Sequence, residues 1–78
     1  MQKKSKKYLV LYATRQLVEQ TQEDLAPICG CSPSNYGSKE RGDIPFTLEE
    51  SFNILKTVNK LLTKKGMKEM TMEELFAR

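Results

Sequence analysis

The chain has 78 residues and a formal net charge of +3, from 13 basic and 10 acidic side chains. This length predicts one domain, over residues 8–78, with a small core and no space for a deep catalytic pocket or a separate effector-binding domain. No apolar run approaches the roughly 20 residues of a membrane span, and the short apolar stretch near the N-terminus lacks the pattern of a signal peptide. We therefore expect a cytoplasmic protein with no membrane partner.

The basic charge is concentrated at the start of the chain. Lys3, Lys4, Lys6 and Lys7 fall within the first seven residues, and we treat residues 1–7 as a basic arm. Such a block could lie on phosphate groups, but blocks of like charge are more commonly solvated, disordered tails. The sequence leaves both interpretations open.

The sequence offers little to catalysis or to metal binding. It has no histidine, which is the commonest general base. Cys29 and Cys31 are too close in sequence for a comfortable disulfide between regular elements, and two thiols do not complete a four-ligand zinc site. We expect a protein that is not an enzyme and has no metal, cofactor or small-molecule ligand, with both cysteines as small buried side chains in a reducing compartment.

Start and stop signals predict helices and no strand. A first helix is expected over about residues 6–19. A second follows the N-cap Thr21 and covers Gln22–Cys29. Pro27 lies inside it, and because proline lacks the N–H that an inner helical turn needs, it predicts a kink or an early end.

Three more helices complete the predicted order. Gly30 ends the second helix, and Ser32 caps a third over Pro33–Arg41. A fourth begins after Thr47 and closes near residues 64–66, and a short fifth follows Thr71. The apolar stripe predicted to face the core from the fourth helix consists of Leu48, Phe52, Leu55, Val58 and Leu62.

Several segments occur in the order and at the spacing of a known family. They are Arg15, residues 21–26 (TQEDLA), 30–32 (GCS), 40–42 (ERG), 48–50 (LEE), 52–55 (FNIL) and 71–76 (TMEELF). With them the chain resembles the Cro/phage-repressor helix-turn-helix family, also called the xenobiotic-response-element type. The resemblance implies an all-α, compact five-helix lambda-repressor-like domain, with its helix-turn-helix formed by the second and third helices.

The resemblance also implies roles for individual positions. Gln22, Ser32 and Arg41 match positions that contact the DNA backbone. The positions that meet base edges in the major groove lie on the third helix, with Asn35 at their flank: Pro33, Ser34, Gly37 and Ser38.

Arg15 and Glu40 match a pair that the family commonly joins as a partly buried salt bridge between the first and third helices. The alternative for these two residues is a pair of unconnected surface charges.

Four departures from the family pattern stand out. Residues 19–20 are Glu-Gln where the family usually has Gly-Leu, and Pro27 replaces a helix-favouring residue. Lys39 replaces a usually apolar residue, so we expect it to reach outward, towards DNA phosphate. Gly37 weakens the third helix, and the predicted reading face has no long side chain for bidentate base recognition.

These observations predict a sequence-specific DNA-binding transcriptional regulator, a repressor by expectation, that places helix 33–41 in the major groove of double-stranded DNA as a homodimer. The alternative is a protein-interaction module on the same fold, antitoxin-like or antirepressor-like. The predicted dimer surface is apolar, and its residues could equally close the core of the monomer: Leu61, Leu62, Met67, Met70, Leu75 and Phe76.

Overall fold

The computed structural model describes residues 7–78, so the arm as far as residue 6 lies outside the described residues. This part of the chain is all-helical and compact, with a radius of gyration of 12.1 Å. Its five helices are α1 (Leu9–Leu17), α2 (Gln22–Cys29), α3 (Pro33–Arg41), α4 (Leu48–Lys64) and α5 (Met72–Leu75). None of these helices is both long enough and apolar enough to cross a membrane.

Side-chain caps fix where most of these helices begin. Thr21, Thr47 and Thr71 each accept a hydrogen bond from the backbone N–H three residues later, and the acidic side chain at that later position bonds back to the threonine N–H. Each such capping box satisfies two backbone donors that a helix start leaves without a partner. Glycines at positive φ, Gly30 and Gly42, end α2 and α3.

The first helix is shorter than predicted. It ends at Leu17, and Glu19 adopts a left-handed conformation with φ 59°. This is the position where the family that the sequence resembles usually has glycine, for which that conformation costs nothing. The helix also begins later than the predicted start at residue 6, because Lys7 and Tyr8 precede it and α1 starts at Leu9.

Of the two outcomes expected for Pro27, a kink or an early end of α2, the early end was wrong. The helix continues to Cys29, and the Gly30 N–H bonds to the Pro27 carbonyl. Pro27 is exposed. The carbonyl of Glu23, which the missing proline N–H would have bonded, is on an exposed residue where water can bond it instead.

The core lies between α1, α2, α4 and α5, with Tyr36 entering it from α3. Four aromatic rings meet edge to face at one side of this core, with neighbouring centroids 5.3–6.0 Å apart, and they come from both ends and from the middle of the chain: Tyr8, Tyr36, Phe46 and Phe76. Edge-to-face contacts add stability beyond the burial of area, so this cluster ties the N-terminal and C-terminal segments together.

The core stripe predicted for α4 was partly wrong. Ile54, Val58 and Leu62 are buried, whereas Leu48 is 80% exposed and Phe52 is 56% exposed. At 100° per residue, Phe52 lies about 120° around the helix from Val58, which is too far to reach the same core. Two large apolar side chains are therefore left at the surface.

The apolar residues near the C-terminus mostly close the core of the monomer. Leu62 and Leu75 are buried, and Leu61, Met70 and Phe76 pack against them, whereas Met67 is 42% exposed. Asn59 holds this region by exchanging two hydrogen bonds with the backbone of Met70. Of the two alternatives for this set, the geometry favours core closure.

Candidate nucleic-acid interface

Helix α3 has one buried face and one exposed face. Tyr36, Gly37, Lys39 and Glu40 are buried against the rest of the molecule. The exposed face begins at the N-cap Ser32, whose hydroxyl accepts a hydrogen bond from the Asn35 N–H at 3.2 Å. It then carries Pro33, Ser34, Asn35 and Arg41, with Ser38 half-buried.

The buried face is held by a polar network around the Glu40 carboxylate. Arg15 donates to both carboxylate oxygens, at 2.9 and 3.0 Å, and the Tyr36 hydroxyl donates at 3.0 Å. The Gln22 amide donates at 3.3 Å, and the Tyr8 N–H donates to the Glu40 backbone carbonyl at 3.0 Å. This set is called the Glu40 network below, and it connects α1, α2 and α3.

Arg15 and Glu40 are only 6% and 4% exposed, so the pair predicted from the sequence is a buried, bidentate ion pair. The hydrogen bond to Glu40 raises the pKa of Arg15. Burial, together with the adjacent Glu40 charge, raises the pKa of Tyr36. Tyr36 therefore stays a neutral donor, and the third helix is fixed to the first by charge-assisted hydrogen bonds.

Lys39 does not reach outward, and this expectation was wrong. Its ammonium group lies 3.1 Å from a Glu50 carboxylate oxygen and donates to the Pro45 carbonyl at 3.2 Å, and the residue is 8% exposed. Burial opposes ionisation of Glu50, but the Thr47 N–H and the Lys39 ammonium outweigh it and lower the Glu50 pKa. Lys39 thus fastens α3 to α4 and is not placed to meet a phosphate.

Gly37 is also buried and so does not belong to the exposed face. A Cβ at this position would lie 3.1 Å from the Gln22 Oε1 atom and 3.4 Å from the Arg41 Nη1 atom. The glycine gives these two side chains room to lie across the centre of α3. Packing therefore explains why a helix-weakening glycine stands at this position, and the sequence pattern did not reveal this.

Gln22 and Arg41 border the exposed face, and both side chains lie against Gly37. Gln22 is half-buried at the first position of α2, and Arg41 is exposed at the last position of α3. Arg41 donates to the Ser38 hydroxyl at 3.1 Å and pairs with Asp43 at 3.3 Å. An amide and a guanidinium therefore border a row of short polar side chains.

Ser34, Asn35 and Ser38 form that row. Ser34 and Asn35 are exposed, and no described residue accepts or donates a hydrogen bond at their side chains. Short hydroxyl and amide groups can bond to base edges or to phosphate oxygens, but hydroxyls discriminate weakly between bases. This row is available to a polar ligand without disturbing the core.

A groove of about 310 Å³ lies beside this surface, between the start of α1 and the end of α3. Lys7, Tyr12, Gln22 and Arg41 contribute to its walls. Lys7, the first described residue, therefore lies at the border of the exposed α3 face. Lys3, Lys4 and Lys6 of the predicted arm lie outside the described residues.

The two cysteines sit at the turn between α2 and α3. Cys29 is buried and Cys31 is half-buried, and both are free thiols. Burial, and a hydrogen bond with Cys31, raise the pKa of Cys29 to about 12. A thiol of this kind is unreactive near neutral pH.

Two participants were missed at the sequence level. Tyr36 is not among the predicted site residues, although its hydroxyl bond to Glu40 could have been anticipated because residues four apart in a helix share a face. Asp43 is likewise not among them. Its pairing with Arg41 depends on the turn after Gly42, for which the sequence carries no comparable signal.

Comparison with protein-family models, with curated proteins and with solved structures finds no match. The functional argument therefore rests on the geometry of the chain itself.

Proposed function

We propose that the protein is a sequence-specific DNA-binding regulator of the lambda-repressor-like helix-turn-helix type, with α2 and α3 as the two helices of the motif. The observation that carries the proposal is the division of α3 into a locked face and an exposed one. The Glu40 network fixes the helix, and the exposed side chains of Ser34 and Asn35 can meet a ligand, with the half-buried Ser38 hydroxyl held beside them by Arg41.

The flanking groups fit a duplex. A recognition helix in the major groove needs short or polar side chains towards the bases and donors to phosphates at its edges. Gln22 and Arg41 supply donors beside the row, where both side chains lie against Gly37, and Ser32 supplies a hydroxyl at the helix start. Lys39 and Gly37 are not part of this proposed contact surface.

Specificity by this surface is expected to be modest at each base. Asn35 is the one side chain of the row that can make a bidentate pair, with adenine. The remaining discrimination would come from the shape of the DNA and from contacts that position the backbone. Two copies on a palindromic site would add to the discrimination of each half-site.

The interaction-module alternative loses its original motivation. That alternative was motivated by Pro27, Gly37 and Lys39, which suggest a degraded DNA-reading face. Each has a local structural explanation: the carbonyl left free by Pro27 is on an exposed residue, Gly37 makes room for Gln22, and Lys39 pairs with Glu50. We infer a repressor, which would act by occupying an operator and so blocking access to it.

The proposal is tested by selecting binding sites from random duplex DNA with three proteins. These are the natural chain, the Ser34→Ala/Asn35→Ala variant, and a Thr57→Ala/Thr63→Ala control that removes two hydroxyls from α4. We expect one consensus sequence for the natural chain and the control, and a weaker or altered consensus for the α3 variant. A palindrome would further indicate two copies per site.

Salt dependence separates this proposal from non-specific contact. A protein that neutralises Z phosphates loses affinity with a log–log slope of about −0.9Z. Recovery of no consensus, with binding that disappears at moderate salt, would contradict the proposed function and favour a protein partner.

A further inference from the structure

Three apolar side chains form an exposed patch away from α3. Leu48 and Phe52 of α4 are 80% and 56% exposed, and Met72 of α5 lies beside them along a shallow apolar depression. This set is called the Phe52 patch. None of its residues belongs to the exposed α3 face, so the patch is a separate surface.

The patch does not contribute to the monomer core. Helix α4 already buries Ile54, Val58 and Leu62, and its start is capped by Thr47 and Glu50. Water meets most of Leu48 and Phe52 at a cost of about 25 cal/mol for each Å² of apolar surface. Contiguous exposed apolar groups of this kind mark contact surfaces more often than isolated ones do.

The charges around Phe52 indicate what the patch contacts. Glu49 lies three residues before Phe52 and Lys56 four residues after it, so both are its neighbours on the helix surface. Both are exposed, and neither forms an ion pair within the described residues. The apolar centre therefore has an acidic group on one side and a basic group on the other.

This arrangement is complementary to itself. If two α4 helices pack antiparallel with Phe52 on the two-fold axis, Glu49 of each copy faces Lys56 of the other. The aliphatic stem of each Lys56 then covers Leu48 of the opposite copy. A two-fold contact requires this reciprocity, because the same surface must serve both partners.

We propose that the Phe52 patch binds a second copy of this chain, with the two α4 helices antiparallel and Glu49 paired with Lys56 across the interface. The proposal concerns the free protein and does not depend on DNA binding. It moves the dimer surface from the C-terminal residues expected from the sequence to the first half of α4. The patch is smaller than the roughly 800 Å² per partner of a standard interface, so self-association is weak and needs high protein concentration.

The test is sedimentation equilibrium of the full chain without DNA, over about 10 µM to about 1 mM. The natural chain is expected to rise from 9.0 kDa towards twice that mass. Phe52→Asp is expected to weaken association at least about tenfold, or about 1.4 kcal/mol. Leu17→Asp is the matched control, because Leu17 is 48% exposed on α1 and lies outside the patch.

Charge exchange tests the geometry directly. Glu49→Lys places lysine opposite lysine, and Lys56→Glu places glutamate opposite glutamate, so each variant alone is expected to be monomeric. An equimolar mixture of the two is expected to associate, because both cross-interface pairs are then of opposite charge. Circular dichroism of each variant checks that the helices remain folded.

Three results would overturn the proposal. The first is a natural chain that stays at 9.0 kDa throughout the concentration range. The second is association of Phe52→Asp as strong as that of the natural chain, which would place the interface elsewhere. The third is a mixture of charge variants that remains monomeric while the natural chain dimerises, which would exclude the antiparallel pairing.

Discussion

At the scale of single residues, Glu40 couples stability to the shape of the α3 surface. Its side chain accepts hydrogen bonds from Arg15, Tyr36 and Gln22. Arg15 and Tyr36 are buried, and Gln22 is half-buried. Removal of one partner of a buried ion pair is costly because the other charge stays buried without compensation.

We predict that Arg15→Met lowers the free energy of unfolding by about 3–5 kcal/mol, since it leaves the Glu40 charge without its cation. The double variant Arg15→Met/Glu40→Gln should recover part of this loss, because no net charge is then buried. Urea unfolding followed by circular dichroism measures both. A double variant as unstable as the sum of the two single variants would show that the ion pair itself is not the cause.

Removal of the Lys39 charge should cost less than removal of the Arg15 charge, because the partner carboxylate is less buried. The Lys39–Glu50 pair is partly exposed on the Glu50 side, where 21% of the side chain meets solvent. Methionine can fill the same volume, and the remaining carboxylate keeps its bonds to Thr47 and its access to water.

Lys39→Met is therefore expected to change the free energy of unfolding by less than about 1.5 kcal/mol. Under the proposed function it should also leave the salt dependence of DNA binding unchanged, whereas Arg41→Ala should reduce the slope by about one unit. Fluorescence anisotropy with a labelled duplex at several salt concentrations makes the comparison. A smaller slope for Lys39→Met would mean that its ammonium turns outward on DNA.

At the scale of elements, α2 shows how a helix tolerates an unfavourable residue. Its start is secured by the capping box of Thr21 and its end by Gly30, so Pro27 removes one inner hydrogen bond without ending the helix. Pro33 occupies the first position of α3, where the same missing N–H has no consequence.

We expect Pro27→Ala to raise the free energy of unfolding by about 2 kcal/mol, which is the helix preference of alanine less the entropy that proline removes from the unfolded chain. Pro33→Ala is the matched control and should be neutral or slightly destabilising. Thermal unfolding of both variants provides the measurement. An equal effect at the two positions would contradict the explanation.

The α3–α4 loop holds an acidic group beside the proposed DNA surface. Asp43 pairs with Arg41 at 3.3 Å, and both side chains are more than half exposed. In a complex with DNA this carboxylate would compete with phosphate for the guanidinium.

Asp43→Asn is expected to raise affinity for duplex DNA up to about fivefold, or about 1 kcal/mol, because Arg41 is released and a negative charge is removed. Glu73→Gln on α5 is the control, since it makes the same change in net charge away from α3. An equal gain from both variants would point to general electrostatics rather than to Arg41.

The elements also show what the sequence could predict. The bounds of α2 and α3 were correct because caps and glycines act locally on the backbone. The inward turn of Lys39 and the exposure of Phe52 were not predicted, because both depend on which side of a helix a neighbouring helix covers. Apolar content alone does not determine that side.

At the scale of the whole molecule, buried groups that cannot ionise limit stability at high pH. The pKa of Cys29 is raised from 9.0 to about 12, and that of Tyr36 is raised above 10.0. Above these ordinary values the unfolded chain releases protons that the folded chain retains. The unfolded state is then favoured as pH increases.

We predict that the stability contributed by these two groups is fully retained below pH 9.0 and decreases as pH rises towards about 12. The free energy of unfolding of Cys29→Ala should fall less over this pH range than that of the natural chain. Cys31→Ala, at a half-buried position, should have a smaller effect. Urea midpoints measured across this range provide the test. An unchanged pH dependence in Cys29→Ala would remove the thiol from the explanation.

The two faces of α3 have separate consequences for the history of the protein. Tyr36 and Glu40 are bound into the fold, so most substitutions there would be selected against for stability alone. Ser34 and Asn35 pack against nothing that the fold requires. Mutation can therefore alter the proposed reading surface at little thermodynamic cost, and such a protein can acquire a new target sequence without first losing its structure.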